Sequence, residues 1–168
     1  MKKNTRYLVH CAMIAALYVA LTHLQNILFP GSASMAVQFR ASEALCVLSL
    51  FTPAAIWGLT LGCLLFNITF AQALPLDFLI GSLATFLATL CMWKTRSITV
   101  KGYPLLGLAM PALWNALLVG WELTVYVGGG FSLNALLVAA GELVVLYTLG
   151  SALYYAIKLR RLDSRLFS

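Results

Sequence analysis

The chain has 168 residues, 62% of them hydrophobic and only 10% charged, with a formal net charge of +6. A soluble domain carries roughly 25% charged residues, so too few are present here to coat a water-facing surface, and lipid is the expected solvent. The basic excess does not point to nucleic acid, because Lys and Arg fall in short clusters between apolar segments, which is the pattern of membrane topology.

The start, Met1-Lys2-Lys3-Asn4-Thr5-Arg6 before an apolar run, looks like a signal peptide. No small-residue cleavage site follows, so a retained first helix is expected from about Tyr7 to Leu24. Pro30, Gly31 and Ser32 mark a loop after it. A short second helix is expected from about Phe39 to Phe51, ended by Pro53, which restricts the residue before it and opens a new helix well. The third runs from about Ala54 to Ala73 and stops before Pro75. The fourth runs from about Asp77, able to cap its start, to Trp93. The fifth runs from about Leu105 to Tyr126 and ends at Gly128-Gly129-Gly130. The sixth runs from about Ser132, as its cap, to Ile157. No Ser/Pro/Gly-rich linker divides the chain, so one all-α membrane domain over 1–168 is expected, a bundle of six transmembrane helices. Cys11, Cys46, Cys63 and Cys91 are scattered with no CxxC pair, which implies neither a metal site nor a disulfide framework.

Six helices put Lys2, Lys3 and Arg6, then Lys94, Arg96 and Lys101, then Lys158, Arg160, Arg161 and Arg165 on one face. That is every basic residue except Arg40, and the positive-inside rule assigns the face and both termini to the cytoplasm. The remaining polar groups gather toward the other face. Arg40 and Glu43 start the second helix, three residues apart and able to pair. Asn67 lies in the outer half of the third helix and Asp77 opens the fourth. Asn115 sits mid-way along the fifth, with Glu122 seven residues on and sharing its face. Asn134 begins the sixth, and Glu142 lies about 12 Å deeper at 1.5 Å per residue. A cup open to the outside needs polar groups only at these depths, whereas a channel or proton wire needs them throughout.

Trp114 and Trp121 repeat the seven-residue step beside Asn115 and Glu122, so ring faces lie next to an amide and a carboxylate. That set suits a flat, hydrogen-bonding solute with neighbouring N–H donors on one edge. Plainer roles exist for several of these residues. Asp77 suits a helix cap, Trp121 an outer aromatic belt, and Asn67 and Asn134 bonds between helices. Glu122 and Glu142 resist such readings, since burying an unpaired carboxylate costs several kcal/mol. On the first helix, Ala12, Ala16 and Ala20 recur at four-residue spacing with Ala15 beside them, a face suited to close helix approach, either within the chain or toward a partner.

Four stretches carry a family resemblance: Gln38-Phe39-Arg40-Ala41-Ser42-Glu43-Ala44-Leu45; Pro53-Ala54-Ala55-Ile56-Trp57-Gly58 with Gly62 and Asn67; Asp77-Phe78-Leu79-Ile80-Gly81-Ser82-Leu83-Ala84-Thr85; and Pro111-Ala112-Leu113-Trp114-Asn115-Ala116 with Glu122. In that order they cover most of the chain. It resembles the membrane-embedded substrate-specificity subunits of energy-coupling factor (ECF) transporters, and among them the QueT family, assigned to precursors of queuosine. The resemblance implies a six-helix subunit in the bacterial cell membrane that captures a micronutrient from outside. It implies no ATPase activity and no cofactor of its own, ATP being hydrolysed by two cytoplasmic partner subunits joined through a transmembrane coupling protein, the T component. The alanine stripe at Ala12, Ala16 and Ala20 would be the docking face for that protein. The segment from about Asn26 to Gln38 would be a lid, and the solute a 7-deazaguanine such as preQ0, preQ1 or queuine. Another vitamin or micronutrient stays open as the solute.

Two other classes fit less well. A membrane enzyme lacks support, since no HExxH, GxSxG or nucleophile–base pair is present. A stand-alone secondary carrier would need polar groups reaching the inner face or two inverted half-repeats.

Overall fold

The computed structural model describes residues 3–30, 39–70 and 73–163. Lys2, Arg165 and residues 31–38, which make up most of the expected lid, lie outside them. Among the described residues the fold is all-helical, with α1 over Lys3–Leu28, a 3₁₀ helix over Ala41–Leu50, α2 over Ala54–Thr69 and α3 over Asp77–Thr95. Next come α4 over Leu105–Tyr126 and a last run made of α5 (Phe131–Val145), a π turn (Leu146–Gly150) and α6 (Ser151–Leu159). Asn4–Leu28, Asp77–Thr95, Leu105–Tyr126 and Phe131–Leu159 are long and apolar enough to cross a membrane. The 3₁₀ helix and α2 are apolar but shorter.

The outward faces are apolar too. Leu8, Met13, Ile68, Leu133 and Leu136 are exposed, Leu136 by 69%. Helices that are hydrophobic all round are at home in lipid rather than water. The inward stripe of α1 is Cys11, Ile14, Ala15, Tyr18 and Thr22, spaced as one helical face.

Glycine sets the closest crossing. A Cβ at Gly58 would lie 2.8 Å from the Cys11 carbonyl oxygen, and one at Gly62 would lie 2.8 Å from Tyr18 Cβ. Only Gly at both positions lets α2 approach α1 so nearly, as small residues do where packing rather than water drives association. The two helices run parallel. Near their starts the Tyr7 hydroxyl donates to the Pro53 carbonyl at 3.4 Å and the Cys11 thiol to the Ala54 carbonyl at 3.3 Å. Near their ends His23 Nε2 and Thr69 Oγ1 are 3.3 Å apart.

Sequential helices pack as an arc, α1 on α2, α2 on α3, α3 on α4 and α4 on α5. The 3₁₀ helix is its axis and touches every other element. An α-helix was expected there. Ten residues of α-helix reach about 15 Å, whereas a 3₁₀ coil reaches about 20 Å. Such long 3₁₀ runs are uncommon, and this one is packed on all sides: Ser42, Glu43, Ala44, Leu45, Cys46, Val47, Ser49 and Leu50 are all buried. The π turn lies against it, where a Cβ on Gly150 would come within 3.2 Å of Val47 Cγ2. On the open side of the arc, Gln25, Phe29, Phe39, Ala41, Val145 and Leu149 line an apolar groove of about 330 Å³.

Neither expected cap is used. Asp77 is the first residue of α3 and Leu76 precedes it without a side-chain cap, while α5 begins at Phe131 after Gly130 rather than at Ser132. At the other end of the bundle the 96–104 connection is held down by tyrosines. The Tyr154 hydroxyl donates to the Gly102 carbonyl at 3.1 Å, Tyr147 to the Leu105 carbonyl at 2.8 Å, and the Tyr103 hydroxyl meets Ser151 Oγ.

Candidate functional site

The connectivity brings the end of α1, the start of the 3₁₀ helix, the end of α2, the start of α3 and the end of α4 to one end of the bundle. Lys94, Arg96, Lys101, Lys158, Arg160 and Arg161 lie toward the other. From the first end inward to the middle of the bundle, Arg40, Glu43, Asn67, Asp77, Asn115, Glu122, Asn134 and Glu142 are all buried.

Arg40 does not use Glu43 as its ion-pair partner. Its backbone is extended (φ −101°, ψ 102°), so it stands outside the helical repeat that would align the two residues. Its guanidinium meets the Asp77 carboxylate at 3.6 Å instead and lies 5.8 Å from the centre of the Phe66 ring. Asp77 is thus an ion-pair partner rather than a cap, and its backbone carbonyl accepts from Asn67 Nδ2 at 2.9 Å. Gln25 anchors the entry to the 3₁₀ helix, its Oε1 accepting from the Ala41 N–H at 2.6 Å and its Nε2 donating to the Phe39 carbonyl.

Glu43 is satisfied by two groups the sequence reading did not single out. The Tyr18 hydroxyl donates to its Oε1 at 2.7 Å. Residues i and i+3 eclipse in a 3₁₀ helix, so Cys46 stands over Glu43 and its thiol lies 3.2 Å from Oε2. Beside them the Thr22 hydroxyl bridges the Tyr18 carbonyl and the Ser42 hydroxyl, both at 2.7 Å. The available signal was Tyr18 and Thr22 on the buried stripe of α1, polar tips on an otherwise apolar face.

The second half of the site comes from α4 and α5. Asn115 Nδ2 donates to Glu142 Oε1 at 2.8 Å, leaving Glu142 Oε2 buried without a partner. Glu122, 0% exposed, has no partner on either carboxylate oxygen. Asn67 Oδ1 and Trp114 Nε1 are likewise buried and unpartnered. Asp77 and Arg40 lie within electrostatic reach of Glu122, and Glu43 and Arg40 within that of Glu142. Buried polar atoms in folded proteins nearly always have partners, so several orphans in one region mark a place built for something else.

Two candidates point elsewhere. Asn134 Nδ2 donates to Thr124 Oγ1 and the Gly128 carbonyl, both at 3.0 Å, and ties the α4–α5 turn together. Trp121 is 51% exposed, on the outer face of α4 beside the inward Glu122. Most deeper hydroxyls do not continue the polar zone, the exception being Ser49 Oγ in the 3₁₀ helix, buried and unpartnered. Thr60, Thr85, Thr89 and Thr95 each bond the carbonyl four residues back in their own helix. On α1, Ala12, Ala16 and Ala20 are exposed, on the face turned away from α2, whereas Ala15 is buried against it.

A family model described as QueT transporter matches residues 8–159. A protein of Lactococcus lactis subsp. cremoris (strain MG1363), named queuosine precursor transporter QueT, is 36% identical over 89 residues. That alignment covers 51% of this chain and 48% of the relative, so the chain spans about half the length of the curated relative it matches. No solved structure matches.

Proposed function

The chain belongs to the QueT transporter family, and from that premise we propose that it is the solute-binding membrane subunit of an ECF-type importer, capturing a queuosine precursor of the 7-deazaguanine class. The observation that carries this reading is Glu122, wholly buried with both carboxylate oxygens unpartnered. A carboxylate is the natural acceptor for two adjacent N–H donors, which the amine-bearing edge of a guanine-like base presents. Asn67 Oδ1 and Trp114 Nε1 are a further buried acceptor and donor without partners. The scaffold for these groups is the Arg40–Asp77 pair and the Tyr18–Glu43–Cys46 chain.

In this reading the site opens outward from the bacterial cell membrane, since the basic loops lie at the opposite end and cationic loops stay in the cytoplasm. Both termini are then cytoplasmic. Among the described residues the hydroxyls of Thr60, Thr85, Thr89 and Thr95 are spent within their own helices, which favours tipping of the whole body to release the solute over opening of a pore. The T component docks on the exposed Ala12, Ala16 and Ala20 face, and two cytoplasmic ATPases hydrolyse the ATP. The chain itself performs no chemistry on the solute.

Calorimetry on the purified chain with preQ0, preQ1 and queuine tests the reading. At least one binds, and Glu122→Ala removes the binding. No heat with any of the three, or equal binding by the variant, overturns it. Binding of a different micronutrient alone would reassign the solute and leave the transport role.

A further inference from the structure

Four buried carboxyl groups share one buried guanidinium, which pairs directly with Asp77 at 3.6 Å and lies within electrostatic reach of the other three. Glu43, Asp77, Glu122 and Glu142 are all buried, and Arg40 is the one buried cation among the described residues. Two of the four are occupied. Glu43 holds the Tyr18 hydroxyl on one oxygen and the Cys46 thiol on the other, and Asp77 holds Arg40. Glu142 is half occupied, with Asn115 on Oε1 and nothing on Oε2, at 2% exposure. Glu122 is unoccupied. A separate, uncharged group is also left over beside Asp77: Asn67, 4% exposed, has its Oδ1 unpartnered while its Nδ2 is fixed on the Asp77 carbonyl.

Resting on the deazaguanine reading above, we propose that the solute this site takes is an amine-bearing, cationic one, with Glu142 as the residue that selects it. The two Glu122 oxygens match the paired N–H donors of the base edge. The one remaining carboxylate oxygen, Glu142 Oε2, has no counterpart on a neutral base. A side-chain ammonium supplies both the missing donor and the missing positive charge. Buried carboxylates in excess of cations are costly, and a ligand that brings the balancing charge recovers that cost on binding. An aminomethyl or secondary-amine substituent on the base carries such a charge at neutral pH, as a lysine ammonium does. A nitrile substituent carries none and offers no hydrogen to donate.

The experiment compares the aminomethyl form (preQ1) with the nitrile form (preQ0) by calorimetry on the full chain, wild type and Glu142→Gln. A charge-assisted hydrogen bond corresponds to a preference of about ten- to a hundredfold for the aminomethyl form. In Glu142→Gln the preference collapses toward unity, mostly through weaker binding of the aminomethyl form. Equal or tighter binding of the nitrile form by the wild type overturns the proposal and leaves the deazaguanine reading standing. Binding of queuine alone, itself a secondary amine, supports the proposal if Glu142→Gln weakens it and overturns the proposal if it does not, and silence with all three bases overturns both the proposal and the deazaguanine reading. A preference that survives in Glu142→Gln removes Glu142 from the role. The wild-type comparison stands alone if the variant does not purify.

Discussion

The Tyr18 hydroxyl donates to Glu43 Oε1 at 2.7 Å across the α1–3₁₀ boundary, and both residues are buried. This bond fastens the axial 3₁₀ helix to the first helix of the arc. Tyr18→Phe removes the donor and leaves a buried carboxylate oxygen unpaired, at a cost of about 1–3 kcal/mol. The expected result is a lowered melting temperature in detergent, with solute affinity reduced far less than by Glu122→Ala. Loss of binding with no change in melting would move Tyr18 from the scaffold into the site.

The Arg40–Asp77 pair is expected to behave as a buried ion pair. Arg40→Met or Asp77→Leu alone strands a charge, at about 3–5 kcal/mol each. The double variant removes both members of the pair together, so its loss should be clearly smaller than the sum of the singles. A thermodynamic cycle on the melting free energies measures the difference. Additive losses would show that the 3.6 Å contact carries no coupling.

Ala15 and Ala16 are neighbours in sequence and opposites in setting. Ala15 is buried, and its carbonyl oxygen would lie 3.0 Å from a Cβ at Gly62, whereas Ala16 is exposed on the far side of α1. Ala15→Trp should prevent folding or leave a strongly destabilised protein. Ala16→Trp should fold and bind solute normally, yet lose co-purification with the T component. Retained co-purification would refute the docking face.

Orientation is open to cysteine labelling. The native cysteines Cys11, Cys46 and Cys63 are buried, and the half-buried Cys91 is replaced by Ser to remove its background. A cysteine at Gly130, in the α4–α5 turn, should react with a membrane-impermeant maleimide in intact cells, and one at Lys101 only after permeabilisation. The reverse pattern would invert the bundle.

Hydropathy read most helices to within a few residues, because apolar length against punctuating Pro and Gly is a local property. The bounds of α4 were legible outright, and α1 extends four residues past Leu24, where Gln25 is tied to the Phe39 carbonyl and the Ala41 N–H at the entry to the 3₁₀ helix. The 3₁₀ character of Ala41–Leu50 was not legible, since ten apolar residues fit either coil and the choice is made by surrounding contacts. The buried polar residues were visible individually, through the cost of putting them in lipid. Their pairing was not. Arg40 has Glu43 three positions away and finds Asp77 instead, because an extended backbone at one residue turns its side chain out of the helix. Trp121 was read as a stacking surface from its seven-residue spacing to Trp114, but one position before an inward Glu122 is about 100° away around a helix, which carries it outward.

The axial coil, with no side left for lipid, divides the protein into two mutational regimes. On the rim, Leu136, Ile68 or Met13 can be exchanged for any other oily side chain with little consequence, because hydrocarbon adapts to whatever shape it meets. In the axis a methyl group added at Ala44 or removed from Val47 is felt by several helices at once, since each turn of three residues faces three different neighbours. A saturation library should therefore show a sharply intolerant decapeptide inside a permissive shell.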